Sequence, residues 1–408
     1  MKSILWIFPV KLSVLEVKEL GYKVIGLFPK NIDSKIFQKS CYDAKIVCDE
    51  VIEIDDPNLE VISNEVIFQL KQQNFTFIFN SPIDDYIPLS LEISKKLNRL
   101  ENNELGFKIF QNKYYFRTHL KKYPELKELN PQFRCAKSFL ELKNILNSTT
   151  NEIIIKPTIS NASQNIFFRK IPNDNEKILN FWESHDFSKS LMIEEKIGGK
   201  QYSVEIMSIL GEHKVLGITE KFEVMPPSFI EVGGLFSVKI QSLVFSQLKE
   251  KIFFLLNSIN FKSGFSHTEF FITSNGNIKI VESHLRQPGI IPSLFREVYG
   301  VSFYHYFIKS LEAKKIIKLP KAKHKIALID VFEFKPNQIL NLDYKLRTDL
   351  FKSLVFRINR NDAIKTVTSN WERHGYFILT ANNRIHAFAK AKRARKLINN
   401  HIGTLHEK

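Results

Sequence analysis

Over the first hundred residues, short apolar runs alternate with stretches whose apolar positions repeat at helical spacing. Residues 4–8 read as a strand, 11–20 as a helix, and 22–28 as a second strand entered through Gly21. Residues 50–54 and 75–79 are further strand-length runs, and 89–97 again shows helical spacing. Such alternation predicts a parallel, doubly wound sheet, because each parallel crossover needs a helix to return the chain. The pattern then changes. Residues 109–120 and 140–146 read as helices, while 152–156, 165–169 and 191–195 read as strands, the first two flanking the polar turn 160–164. From Gln201 onward strands dominate, at 202–210, 215–222, 264–273 and 278–283, with one long helix at 243–259. The last hundred residues give strands at 325–334 and 376–380 and a terminal helix at 384–399. The fold class is α/β, with divisions expected at 1–105, 106–197, 198–311 and 312–408.

Composition narrows the function classes. The chain has 408 residues, 44% apolar and 25% charged, which is ordinary for a globular protein with several cores. Lys and Arg number 59 against 43 Asp and Glu, for a net charge of +16. Residues 301–408 hold 22 basic and 8 acidic residues, so the first 300 carry only +2. A uniformly basic nucleic-acid binder is therefore disfavoured. A basic run (Lys390, Lys392, Arg393, Arg395, Lys396) on the terminal helix is where a nucleic acid or an acidic partner would dock, but few aromatics interleave with it for base stacking. Three cysteines, Cys41, Cys48 and Cys135, make no disulfide framework and suit a reducing compartment. The apolar run 4–8 is too short for a signal peptide, and no run of about 18 apolar residues occurs, so no membrane span is expected and the cytoplasm is the expected location. Neither G-x-G-x-x-G after the first strand nor G-x-x-x-x-G-K-[ST] is present, which disfavours a dinucleotide site and a P-loop.

The most informative segment is 264–289. Two strand-like runs flank Ser274-Asn275-Gly276-Asn277, and Asn-Gly favours a two-residue type I′ hairpin turn. That turn sets Glu269 opposite Glu282 and His267 opposite His284. Period-two alternation places Glu282, His284 and Arg286 on the face shared with Glu269. Opposed carboxylates repel, so a cation is needed between them, and Mg²⁺ typically uses one or two carboxylates plus substrate phosphates. Arg286 is placed either to pair with a carboxylate or to stabilise an anionic intermediate. Lys156, at the end of an apolar strand and facing a polar turn, is a candidate phosphate ligand.

Taken in order, Asn112-Lys113, Ile155-Lys156-Pro157, 193–205, His267-Thr268-Glu269-Phe270 and Val281-Glu282-Ser283-His284-Leu285-Arg286 resemble the ATP-grasp superfamily in its carboxylate–amine ligase branch. Within that branch the chain is most similar to L-amino acid ligases, and Pro227–Gly234 resembles their substrate loop. The resemblance covers residues 1–310, and 375–394 also looks like the end of such enzymes. It implies an N-terminal α/β domain (1–105), a lid (106–197), a catalytic domain (198–311) and a basic C-terminal subdomain (312–408). It implies that ATP phosphorylates a carboxylate to an acylphosphate, which an amine attacks to form an amide, with ADP and phosphate released. Lys113 and Lys156 would contact phosphates, and the turn carrying Ser163 would close over them. Glu194, Glu195 and Ile197 would hold the adenine, and Gln201 the ribose. Glu269 and Glu282 would bind Mg²⁺ or Mn²⁺, and Arg286 would stabilise the intermediate. Glu231 and His284 would face substrate.

Three residues depart from the branch. The lid turn has Asn161, Ala162 and Ser163 where glycines are usual, position 201 is Gln where Glu is usual, and position 284 is His where Asn is commoner. The alternatives on the same fold are a carboxylase or a purine-pathway-like enzyme, and outside it a basic binding protein.

Overall fold

The computed structural model describes residues 2–30, 35–55, 64–160, 165–170, 175–184, 190–222, 229–336, 338–340, 349–358, 362–367, 369–370, 372–400 and 402–404. The strands, in chain order, are β1 (Ser3–Ile7), β2 (Lys23–Pro29), β3 (Glu50–Ile54), β4 (Phe77–Phe79), β5 (Phe133–Ala136), β6 (Ile153–Pro157), β7 (Phe167–Arg169), β8 (Leu191–Glu195), β9 (Lys200–Ile209), β10 (Glu212–Lys221), β11 (Gly233–Phe236), β12 (Gly264–Ile272), β13 (Ile278–His284), β14 (Ile326–Phe332), β15 (Gln338–Leu340), β16 (Ser353–Phe356), β17 (Gly375–Ala381) and β18 (Ile402–Thr404).

The expected parallel sheet is present, in the order β3-β2-β1-β4. Its two central strands are buried along almost their whole length, as strands covered by helices on both faces must be. A small antiparallel sheet, β5-β8-β6-β7, follows. The largest sheet has eight antiparallel strands in the order β13-β12-β9-β10-β11-β14-β17-β16, and β15 pairs with β18 separately. Strands β5, β11, β15, β16 and β18, each three or four residues long, have no counterpart in the sequence pattern. β11 begins at Gly233, with φ +130° and an ideal Cβ position 2.4 Å from the Ile329 carbonyl oxygen. Only glycine lets β11 pair this closely with β14.

The expected single helix at 109–120 is two helices, Glu104–Gln111 and Lys113–Lys122. Asn112 separates them: its side-chain oxygen accepts from the amides of Tyr114 and Tyr115 and caps the second helix. Lys113 thereby becomes the first residue of that helix, and its amide donates to Thr158 just past β6. The long helix Ser242–Ser258 packs Leu248, Ile252 and Leu255 onto one face of the large sheet, against Val204, Ile206 and Ile280. The other face meets the helices Ile291–Tyr299 and Phe303–Glu312 and, through Trp6 and Phe79, the parallel sheet.

One buried guanidinium ties these parts together. Arg117, on the helix Lys113–Lys122, is 1% exposed. It donates through Nε to Glu194 Oε1 on β8 (2.6 Å), through Nη1 to the Ile280 carbonyl (2.8 Å) and through Nη2 to the Val281 carbonyl (2.8 Å), both on β13. Lys156 on β6 reaches the other oxygen of Glu194 at 2.7 Å. Removing one partner of a buried pair strands the other charge, at a cost of about 3–5 kcal/mol. Arg117→Met keeps the apolar stem, and Lys156 still faces Glu194. Urea unfolding should therefore show a loss near the lower end, about 3 kcal/mol. A loss within the ordinary surface range of about 0.5 kcal/mol would refute the central role given to Arg117.

Candidate active site

The opposed carboxylates exist, but the hairpin reaches them by a different route. Its loop has three residues, with Thr273 and Asn277 closing it through an amide-to-carbonyl bond of 2.9 Å. Positive φ falls on Gly276, at +78°, as in a type I turn followed by a left-handed residue. Pairing next to the loop is Ile272 with Ile278 and Phe270 with Ile280, one residue away from the register of a two-residue turn. A bulge on β13 then adds Val281, and beyond it Glu269 faces Glu282 and His267 faces His284. The bulge cancels the shift made by the turn. The carbonyls that Arg117 holds, those of Ile280 and Val281, are the ones the bulge displaces.

Around this pair, acids and bases alternate across four strands. Glu269 Oε1 accepts from Lys221 Nζ at the end of β10 and from His267 Nε2 at 3.2 Å, and its Oε2 accepts from Gln201 Nε2 at 2.9 Å. His267 Nδ1 lies 2.8 Å from Glu205 on β9. Burial disfavours the imidazolium, but Glu205 and Glu269 outweigh it and raise His267 to about 10, so the ring is a fixed cation at neutral pH. Lys221 also bonds Glu231, whose other oxygen faces Arg373 at 3.4 Å. Burial opposes the Lys221 charge and the two glutamates override it, holding its pKa above the usual lysine range. Glu282 is less enclosed by partners: His284 Nε2 is 3.4 Å away and Lys113 Nζ 4.0 Å.

Asp84 completes the face from the other sheet. It opens a short 3-10 turn after β4, at the carboxyl end of the parallel strands, where open α/β sheets place ligands. It accepts from Arg286 Nε at 2.7 Å and lies 3.2 Å from His284 Nδ1. Burial would raise Asp84, but His284 and Arg286 hold it well below the usual carboxylate range. The same contact, against the cost of burial, raises His284.

The remaining candidate residues fall into two groups. Lys113 Nζ donates to the Ser160 carbonyl at 2.7 Å, at the entry to the polar turn, and burial lowers its pKa. Ser163, with 161–164, lies outside the described residues. The carboxylate of Glu194 is occupied by Arg117 and Lys156, and Glu195 accepts from the Gln132 amide at 2.9 Å. Ile197 is half-buried just beyond β8. Gln201 is bonded to Glu269. The pattern reading missed Asp84, Glu205, Lys221, Arg117 and Arg373, and gave His267 only a position. Asp84-Asp85 after a parallel strand was the one local signal available; the others become neighbours only when β9, β10, β12 and residues near β17 meet.

A family model described as an ATP-grasp domain matches residues 149–291. This stretch is an ATP-grasp domain. Among solved structures, the chain resembles an L-amino acid ligase from Bacillus licheniformis, with TM-score 0.77 and 14% identity over 98% of both chains. It resembles phosphoribosylglycinamide synthetase from Anaerococcus prevotii, with TM-score 0.70 and 18% identity over 99% of both. It also resembles the biotin carboxylase domain of the Hydrogenobacter thermophilus 2-oxoglutarate carboxylase, solved with MgADP, with TM-score 0.69 and 11% identity over 97% of this chain and 89% of that one. These likenesses establish the ATP-grasp fold over the whole chain. No curated protein matches the sequence.

Glu269 and Glu282 offer oxygen donors from adjacent strands, the chemistry a hard divalent cation takes, and Lys113 Nζ lies 4.0 Å from Glu282. Within the ATP-grasp domain, Glu194 sets an acid limit on stability. Burial pushes its carboxyl up, and Arg117 and Lys156 outweigh burial and hold it at about 2 against an ordinary 4.5. A depressed folded value contributes stability that is present above the unfolded value and lost as pH falls toward the folded one. The unfolding free energy of the wild type should therefore exceed that of Glu194→Gln most at about pH 6, with the gap narrowing as pH falls below about 5 and closing only by about pH 1. Urea titrations of both proteins across this window test the assignment; a gap independent of pH would reject it.

Proposed function

We propose that the protein is an ATP-dependent, ADP-forming ligase that joins a carboxylate, an amino acid in our reading, to an amine. The observation that carries this reading is the cross-strand pair Glu269–Glu282, with Arg286 on the same face, anchored by Asp84. Glu269 and Glu282 would hold Mg²⁺ or Mn²⁺, and Lys113 and Lys156 would meet the phosphates of ATP. When bound, these groups supply charge neutralisation and a transferable phosphoryl group.

This chain's own residues supply the positioning. Asp84 takes Nε of Arg286, and Nη1 reaches only the Gln287 carbonyl, at 3.3 Å. The guanidinium is therefore oriented yet retains N–H donors for negative charge that develops on an acylphosphate as an amine attacks. His267 and Lys221 keep Glu269 ionised and aligned. Glu231 is the most open carboxylate of the cluster, with its side chain 40% exposed, which supports a place facing a substrate amino group. Bicarbonate as the acid would make the same arrangement a carboxylase, so the acid substrate is the point to test.

Incubation with ATP, Mg²⁺ and pairs of amino acids, followed by chromatography of the nucleotides, should give ADP that depends on both partners. AMP as product would remove the ligase reading, and ADP formed only with bicarbonate would replace it with carboxylation. Glu282→Gln should abolish turnover while leaving urea unfolding cooperative, since a neutral amide binds Mg²⁺ weakly. Arg286→Ala should lower kcat about 10²-fold or more with ATP affinity unchanged, as for loss of an oxyanion donor. If Arg286→Ala changed ATP affinity alone, its role would be nucleotide binding.

A further inference from the structure

Away from the carboxylate pair, a cavity of about 110 Å³ lies at the seam between the parallel sheet and the large sheet. Its walls are aromatic, with Trp6 and Phe79 from the first and Phe265 from the second, joined by Phe307. These rings pack on one another, Trp6 edge-on to Phe79 at 5.1 Å and Phe265 to Phe307 at 4.4 Å. The space is somewhat smaller than the ~150 Å³ cavity that admits benzene, and suits a branched four-carbon side chain. None of Lys113, Lys156, Glu269 or Glu282 lines it.

The mouth of the cavity is charged. Arg99 and Glu101, both exposed, stand there on the segment leading from the parallel sheet to the helix Glu104–Gln111. Arg99 is held by the carbonyls of Phe75 (3.0 Å) and Thr76 (2.9 Å), which fix its plane and leave further N–H donors. Glu101 makes no ion pair among the described residues. Two buried polar atoms of wall residues, Trp6 Nε1 and Gln287 Oε1, also lack a hydrogen-bond partner among them. A cavity with an aromatic wall, polar groups beside it, and one anchored cation and one uncommitted anion at its rim matches one ligand chemistry: an ammonium and a carboxylate on a single carbon, bearing an apolar side chain.

We propose that this seam cavity binds a free apolar α-amino acid of leucine size, its side chain between Trp6, Phe79, Phe265 and Phe307, its carboxylate at Arg99 and its ammonium at Glu101. The site adjoins the proposed reaction centre at Arg286 but holds none of its metal or phosphate residues. Because Leu285, Arg286 and Gln287 also line the cavity, occupancy there touches the segment that carries Arg286.

Trp6 provides a local reporter. In a full-length Trp182→Phe/Trp371→Phe protein it is the sole tryptophan, so its emission reports on this cavity. Titration with L-leucine, without ATP, should give a saturable change in Trp6 emission. 3-Methylbutylamine, which lacks the carboxylate, and 4-methylpentanoate, which lacks the ammonium, should each bind at least about tenfold more weakly, the loss expected for a hydrogen bond to a charged group. Glu101→Gln, an exposed change that breaks no ion pair, should weaken leucine to the same degree, and Ser94→Leu should block the cavity. Glu231→Gln, at the residue proposed to face the substrate amino group, should leave leucine binding intact, which separates this site from the proposed reaction; loss of binding there would place leucine at the reaction centre instead. Absence of a saturable signal, equal affinity for leucine and its two analogues, or full affinity in Glu101→Gln would overturn the proposal.

Discussion

A charge removed from water must be paired where it lies, and in this protein that constraint converges on Arg117. Its guanidinium is inside the molecule, and five donors in one plane leave little freedom in what it can satisfy. Glu194 takes two of them, and the carbonyls of Ile280 and Val281 take the others in reach. Those carbonyls belong to the bulge that decides which residues of β13 face β12. The small sheet, through Glu194 and Lys156, and the hairpin register are thus held by one side chain. An apolar residue of similar volume would fill the space, but would leave the bulge carbonyls without partners and Glu194 with Lys156 alone.

The candidate site follows the same logic at larger scale. Two carboxylates face each other because backbone pairing puts them there, and each has basic neighbours: Lys221 and His267 for Glu269, Lys113 and the His284 imidazole for Glu282. Asp84 arrives from the parallel sheet and orients two of the basic side chains, His284 and Arg286. An arrangement in which every charge already has an opposite neighbour needs little reorganisation when phosphate and a metal enter, and this is the condition under which electrostatic stabilisation is most effective.

The basic C-terminal stretch looks different once folded. The helix Arg384–Asn399 buries Ala387, Ala391, Ala394 and Ile398 against β14 and β17, a face of small residues at helical spacing. Part of its charge serves that packing. Arg395 bonds both oxygens of the buried Asp330, Lys390 caps the Thr380 carbonyl, and Arg384 pairs with Glu220. Fewer of these cations remain free for an outside partner than the count of basic residues suggests, since long side chains reach back over the surface they cover.

The sequence alone determined what depends on local pattern and order. The parallel sheet was legible in the alternation of apolar runs, the long helix Ser242–Ser258 in its spacing, and the ATP-grasp character in the order of short motifs. Glu269 opposite Glu282 was also reached from sequence, through a turn type that proved different and a bulge that compensated for it. Short strands such as β15 escaped detection, whereas β4 and β7, equally short, lie inside the longer strand-like runs 75–79 and 165–169. What only the tertiary structure decided is which distant charges meet. Glu205, Lys221 and Arg373 lie on separate segments, and each reads locally as an ordinary surface residue. They become a site because burial forbids leaving any one of them unpaired, and that requirement has no trace in the neighbouring sequence.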